Sequence, residues 1–109
     1  MFARVARYDV EEERMDAAAE AFREAASQLA SLEGFQGGYV LTAREDGEIM
    51  TMTLWESRSA METSEVRAAR LRQEATRHVD GTVTSVQCFE VAVDIGSPPE
   101  RLGTAQAFE

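Results

Sequence analysis

Few side chains in this sequence could do chemistry, and their spacing narrows what that chemistry would be. Trp55 closes the run Thr51-Met52-Thr53-Leu54-Trp55. In an extended segment Thr51, Thr53 and Trp55 stand on one face. Trp55 could wall a pocket for a flat aromatic ligand and offer its indole N–H as a donor, or it could be a core tryptophan at a strand end. His78 is the single histidine. Histidine titrates near neutrality, so this residue could act as a general base. Near the end of a helix it could equally be a cap. Tyr39 follows two glycines and could donate to a ligand oxygen, or be a half-buried interface tyrosine. Arg67, Arg70 and Arg77 share a helix face and could hold a carboxylate or an oxyanion. With Glu65, Glu74 and Asp80 nearby, they could instead form a solvated, ion-paired face. Cys88, Met50, Met52 and Met61 read as packing residues.

Composition removes several classes of function. One histidine and one cysteine cannot build a zinc cluster, and one cysteine makes no internal disulfide. All 11 cationic side chains are arginine, and 20 carboxylates outweigh them for a net charge of −9. That balance opposes binding to nucleic acid and to anionic membranes. No apolar run reaches the roughly 18 residues of a membrane span. Residues 1–10 lack the apolar centre of a secretory leader, so the expected compartment is the cytoplasm. No phosphate loop, Ser-His-Asp order or carboxylate pair stands out, and no cofactor is expected.

The elements that must position these residues follow from periodicity. Phe2–Asp9 reads as a strand, with Asp9 and Glu12 as a capping box for a helix running to about Glu33. Met15, Ala18, Phe22, Ala25, Leu29 and Leu32 form its apolar stripe, and Gly34 is its stop. Phe35–Ala43 is a second strand, in which Gly37-Gly38 marks a bulge or close approach. Arg44-Glu45-Asp46-Gly47 is a hairpin turn into a third strand, Glu48–Trp55. Ser57 or Ser59 caps a second helix carrying Met61, Ala68, Leu71, Ala75 and Val79, with a break near Ser64. Thr82–Asp94 is a long fourth strand, and 95–109 is a tail that could dock on a partner subunit. The sequence therefore predicts one α+β domain over 1–94, ferredoxin-like β-α-β-β-α-β, with both helices on one face of a four-stranded antiparallel sheet.

The other face is also apolar. Met50, Met52 and Leu54 oppose Ile49, Thr51, Thr53 and Trp55. Val83, Phe89, Val91 and Val93 oppose Val86, Cys88 and Ala92. Monomers rarely expose such a patch, and a second copy of the sheet would cover it, giving a homodimer.

Leu32-Glu33-Gly34-Phe35-Gln36-Gly37-Gly38-Tyr39 and Thr53-Leu54-Trp55-Glu56-Ser57 resemble motifs of the antibiotic-biosynthesis monooxygenase family. Its members share a "pGf.g" turn into strand two and a "WeS" end to strand three. The resemblance spans about residues 1–94. It implies a dimeric α+β barrel with a pocket between each sheet and its own helices, where Phe22, Thr51, Thr53 and Met61 would be lining residues. It also implies a metal- and flavin-free oxygenation of a small aromatic, polyketide- or quinol-like. Trp55 matches the tryptophan that quinone-forming members place in the pocket. Thr51 and Met61 replace the asparagine and tyrosine found at the corresponding places. Haem-degrading members share an asparagine in strand one, a tryptophan in helix two and a late histidine ligand. Here there is no asparagine, the tryptophan is in strand three and His78 falls about a turn late, which disfavours haem degradation. The catalytic candidates are Trp55, His78 and Tyr39. The alternative is a non-catalytic homodimer that binds a small ligand or a protein.

Overall fold

Alternating apolar residues build four strands, and two amphipathic stretches supply the helical layer. The computed structural model describes residues 1–96. Its order is β1 (Phe2–Asp9), α1 (Met15–Ser27), β2 (Phe35–Ala43), β3 (Glu48–Trp55), α2 (Arg58–Thr63), α3 (Glu65–His78) and β4 (Thr82–Glu90). The strands lie β2-β3-β1-β4, and every neighbouring pair is antiparallel. This is the ferredoxin-like β-α-β-β-α-β arrangement. No helix among the described residues is long and apolar enough to cross a membrane.

The helix ends differ from the sequence expectation. Asp9 closes β1 and does not cap α1. A 3-10 turn, Glu12–Arg14, precedes α1, which runs only from Met15 to Ser27. Turns carry the chain on to Gly34, whose φ of +86° suits a residue without Cβ. Ser57 is the cap of α2, its Oγ accepting from Ala60 N at 3.0 Å, while Ser59 lies inside the helix. The break falls at Ser64, whose Oγ donates to Met61 O at 2.7 Å. A hydroxyl turned onto its own backbone competes with the helical ladder. The fourth strand ends at Glu90, not Asp94. The tail expected over 95–109 lies, from residue 97 onward, outside the described residues.

Two bulges change which side chains share a face. In β2, Phe35 pairs with Trp55 but Gly37 pairs with Leu54, so Gln36 is an extra residue. Phe35 therefore packs edge-on against Trp55 on the helix side, at 5.3 Å between ring centres. Tyr39 and Leu41 pair with Met52 and Met50 on the outer side. A strict period of two would put Phe35 and Tyr39 on one face. In β4, the register shifts between Arg7 and Tyr8, and Val83 pairs with Tyr8 while Val86 pairs with Ala6. Val83 thus joins Val86 instead of opposing it. One inserted residue inverts the alternation beyond it.

The helix side holds two core clusters. Tyr8, Met15, Phe22, Ile49 and Val79 anchor the first, and Leu29, Trp55, Met61 and Ala68 the second. Between them lies the site described next.

Candidate functional site

β1 alternates Phe2, Arg4, Ala6 and Tyr8 toward the helices, which puts a guanidinium and a phenol on a face that is otherwise core. Arg4 is only 4% exposed. Its Nη2 donates to Met61 O at 2.6 Å and to Ser64 Oγ at 2.9 Å. Its Nε lies 3.0 Å from Glu65 Oε1, in ion-pair contact without hydrogen-bond alignment, and its Nη1 is buried with no well-aligned partner among the described residues, the Cys88 thiol on β4 being a weak acceptor nearby. Burial pushes the Arg4 guanidinium below its usual range, with Glu65 acting in the opposite sense. An arginine nevertheless stays charged.

Tyr8 is fully buried, its ring 4.2 Å from that of Phe22. Its Oη and Thr51 Oγ1 lie 3.1 Å apart, and either can donate. Burial raises its phenol above the usual value, partly offset by the bond to Thr51. Arg72, from α3, donates to Glu65 Oε2 at 3.1 Å, so one carboxylate contacts two arginines.

These groups border one cavity between sheet and helices. It measures about 40 Å³ and is lined from the sheet by Arg4, Tyr8, Thr51 and Thr53, from the helices chiefly by Phe22, Ala68, Leu71 and Arg72, and from the turn after α1 by Leu29. A larger concavity of about 780 Å³ runs beside α2 and includes Ser57, Ser59, Arg67 and Arg70. Most of its lining side chains, Arg67 and Arg70 among them, are exposed. The smaller cavity is the better site, because buried polar groups converge there with apolar walls.

The candidates read from sequence separate in space. Phe22, Thr51 and Thr53 line the cavity. Met61 is buried beside Trp55 and presents its carbonyl to Arg4. Trp55 is fully buried, and its indole N–H donates to Thr53 Oγ1 at 3.0 Å. That donor is therefore engaged, and Trp55 orients a lining hydroxyl. Arg4 also stands 5.7 Å from the indole centre, within cation–π range. Tyr39 is not in the cavity; it belongs to the outer face and is 63% exposed. His78 is exposed at the end of α3, where it borders a shallow concavity with Glu20, Glu24 and Glu74. Arg4, Tyr8 and Arg72 are the residues the motif reading missed. The signal was present in β1, where a charged residue occupies the core parity of a strand.

The family model for antibiotic biosynthesis monooxygenase matches residues 1–72. This chain belongs to the antibiotic biosynthesis monooxygenase family. No curated protein sequence matches it significantly. Solved structures share its fold at low identity. One is SnoaB from Streptomyces nogalater, a cofactor-independent oxygenase, at 19% identity and a TM-score of 0.67 over 88% of this chain and 97% of that one. Another is MhuD from Mycobacterium tuberculosis, a haem degrader solved with two haems in its active site, at 20% identity and 0.65 over 88% and 100%. A third comes from Deinococcus radiodurans and is assigned as an antibiotic biosynthesis monooxygenase, at 15% identity and 0.71 over 90% and 99%. Relatives on one fold thus include both an oxygenase and a haem degrader, so function must be argued from the site of this family member.

Proposed function

We propose that this family member is a cofactor-independent monooxygenase acting on a small electron-rich aromatic, as a homodimer built through the outer sheet face. The observation that carries the reading is the convergence of Arg4, Tyr8, Thr51 and Thr53 on a cavity walled by Phe22, Leu29 and Leu71. SnoaB, which shares the fold, is described as a cofactor-independent oxygenase.

The chemistry needs little from the protein. A deprotonated anthrone or hydroquinone carries the electrons that oxygen requires. In an anthrone the activated ring CH2 becomes a carbonyl with one oxygen atom of O2, and the other atom leaves in water with the two hydrogens. No external reductant enters that balance. The protein supplies a dry setting, hydrogen-bond donors and a field that favours the substrate anion. Tyr8 and the Thr51 and Thr53 hydroxyls are the donors, and Arg4 supplies the field. With His78 outside the cavity, substrate ionisation rests on that field more than on a neighbouring imidazole.

The test is oxygen uptake by the pure protein with anthrone and hydroquinone substrates. Uptake that falls at least tenfold in Tyr8→Phe or Arg4→Gln, with the fold retained, supports the reading; no uptake on any such substrate sinks it. The size of the cavity, about 40 Å³ against roughly 300–1,000 Å³ for ligand pockets, favours a second reading. In that reading the dimer binds a small ligand without turnover. Saturable binding with no oxygen consumed would select it.

A further inference from the structure

We infer that the cavity between sheet and helices is a receptor for the acidic head of a small aromatic carboxylate, with Arg4 Nη1 as the donor that selects it. The inference deepens the proposed function and rests on its choice of this cavity as the site. It does not rest on catalysis.

The first support is the local charge balance. Three groups act electrostatically on Arg4: Glu65, Cys88 and Arg72. Glu65 is the one carboxylate among them, and it contacts both arginines. Arg72 is 12% exposed at its side chain and Arg4 is 4% exposed. One buried guanidinium and one partly buried guanidinium thus share one carboxylate that is itself 45% exposed. Among the described residues, no second carboxylate pairs with either arginine. A buried uncompensated charge is costly, and arginine cannot shed its proton to relieve it.

The second support is an unused donor. Arg4 Nη2 makes two hydrogen bonds, whereas Nη1 is buried with no well-aligned partner among the described residues; the Cys88 thiol, opposite Arg4 on β4, is only a weak acceptor. Buried polar atoms in folded proteins almost always find a partner. An orphan N–H on a cation beside a cavity asks for an anionic acceptor.

The third is the polarity of the walls. The sheet floor offers Arg4, Tyr8, Thr51 and Thr53, while the helical roof offers Phe22, Ala25, Ala26, Leu29, Ala68 and Leu71. A ligand with an acidic end on the sheet and a hydrocarbon body under the helices satisfies both. The cavity holds an acidic head of about three heavy atoms, since roughly 10–15 Å³ of such volume accommodates one water. The hydrocarbon body would part the seam between α1 and α3, where Ala25, Ala26 and Leu71 are half-buried.

Calorimetric titration of the intact protein with 1-naphthoate and its neutral isostere 1-naphthamide, under nitrogen, tests this. The acid is expected to bind at least tenfold more tightly, as charge-assisted bonds require. Arg4→Gln should remove the preference. Glu65→Gln should strengthen naphthoate binding several-fold, because it deletes the competing carboxylate from a half-exposed position. If Arg4→Gln does not fold, Glu65→Gln decides. Equal binding of acid and amide, binding of neither, or unchanged or weaker binding in Glu65→Gln would overturn the inference. Naphthoate binding, together with no oxygen uptake on the anthrone and hydroquinone substrates, would remove the oxygenase reading and keep the anion site. Oxygen uptake without anion preference would do the reverse.

Discussion

Arg4, Tyr8 and Thr53 show how much of the site depends on single side chains held by partners. Thr53 is 7% exposed and takes its orientation from the Trp55 indole. Tyr8 is held by Thr51 and by the face of Phe22. Because burial raises the Tyr8 phenol above its ordinary 10.0, the folded chain keeps that proton where the unfolded chain loses it. The stability that Tyr8 contributes is therefore complete below about pH 10 and declines as pH rises toward the folded value. Tyr8→Phe is expected to lower stability by about 1 kcal/mol near neutrality through the lost hydrogen bond. It should also flatten the decline above pH 10. Thermal unfolding of both proteins at pH 8 and pH 10.5 measures this, and an equal alkaline slope in the two would contradict the assignment. Arg4 and Tyr8 were legible in principle, since they share strand parity with Phe2 and Ala6. A motif reading passes over them because it looks for histidine and tryptophan. Trp55 was legible as a residue, but its indole partner was not, because only the packed strand end shows that Thr53 takes the N–H.

At the scale of elements, the turn into β2 and its bulge decide which face each aromatic joins. Gly34 sits at φ +86°, and a Cβ placed there would lie 2.5 Å from Ala60 Cβ on α2. Its carbonyl accepts from Glu56 N at 2.7 Å, tying the turn to the end of β3. Gly34→Ala is therefore strained both by backbone and by contact, and a loss of about 2 kcal/mol or more is expected in urea unfolding. Gly38 is constrained differently: a Cβ there would overlap the backbone carbonyl of Met52. Gly38→Ala should push β2 from β3. Amide exchange should quicken along Phe35–Ala43, the edge strand, more than along β1. Uniform protection in the variant would contradict this. The sequence marked Gly34 as a helix stop and the Gly37-Gly38 pair as a bulge or close approach. It could not say that the extra residue would carry Phe35 to the helix side and leave Tyr39 outside. Bulge position depends on the partner strand, and alternation within one strand does not contain it.

For the whole molecule, the proposed homodimer rests on the outer sheet face. Val5 and Ala3 are buried there, while Tyr39, Leu41 and Phe89 are exposed at 63%, 45% and 47%. Met50, Met52 and Leu54 lie between them, half-buried. Arg7 and Glu48 pair at one end of this face, 3.6 Å apart. A contiguous apolar patch with a polar edge is the usual form of a self-association surface. The chain is expected to run at twice its 12.1 kDa mass in sedimentation at low micromolar concentration. Met52→Glu, a charge placed centrally on that face, should shift it to monomer without unfolding it. A wild-type monomer at these concentrations would remove the dimer.

The amino-acid sequence by itself determined the order of elements, because hydrophobic periods of two and 3.6 are local properties that need no partner. It determined the glycine-marked turns, for which backbone freedom is a property of the residue type. It also set up the apolar outer face, since both parities of β3 carry large side chains. Tertiary structure alone decided the site. Arg4 meets Met61, Ser64 and Glu65 across about sixty residues of chain, and Tyr8 meets Thr51 across 43. His78 and Tyr39 part from Trp55 because helix rotation and a one-residue bulge, neither visible in local pattern, set where each side chain faces.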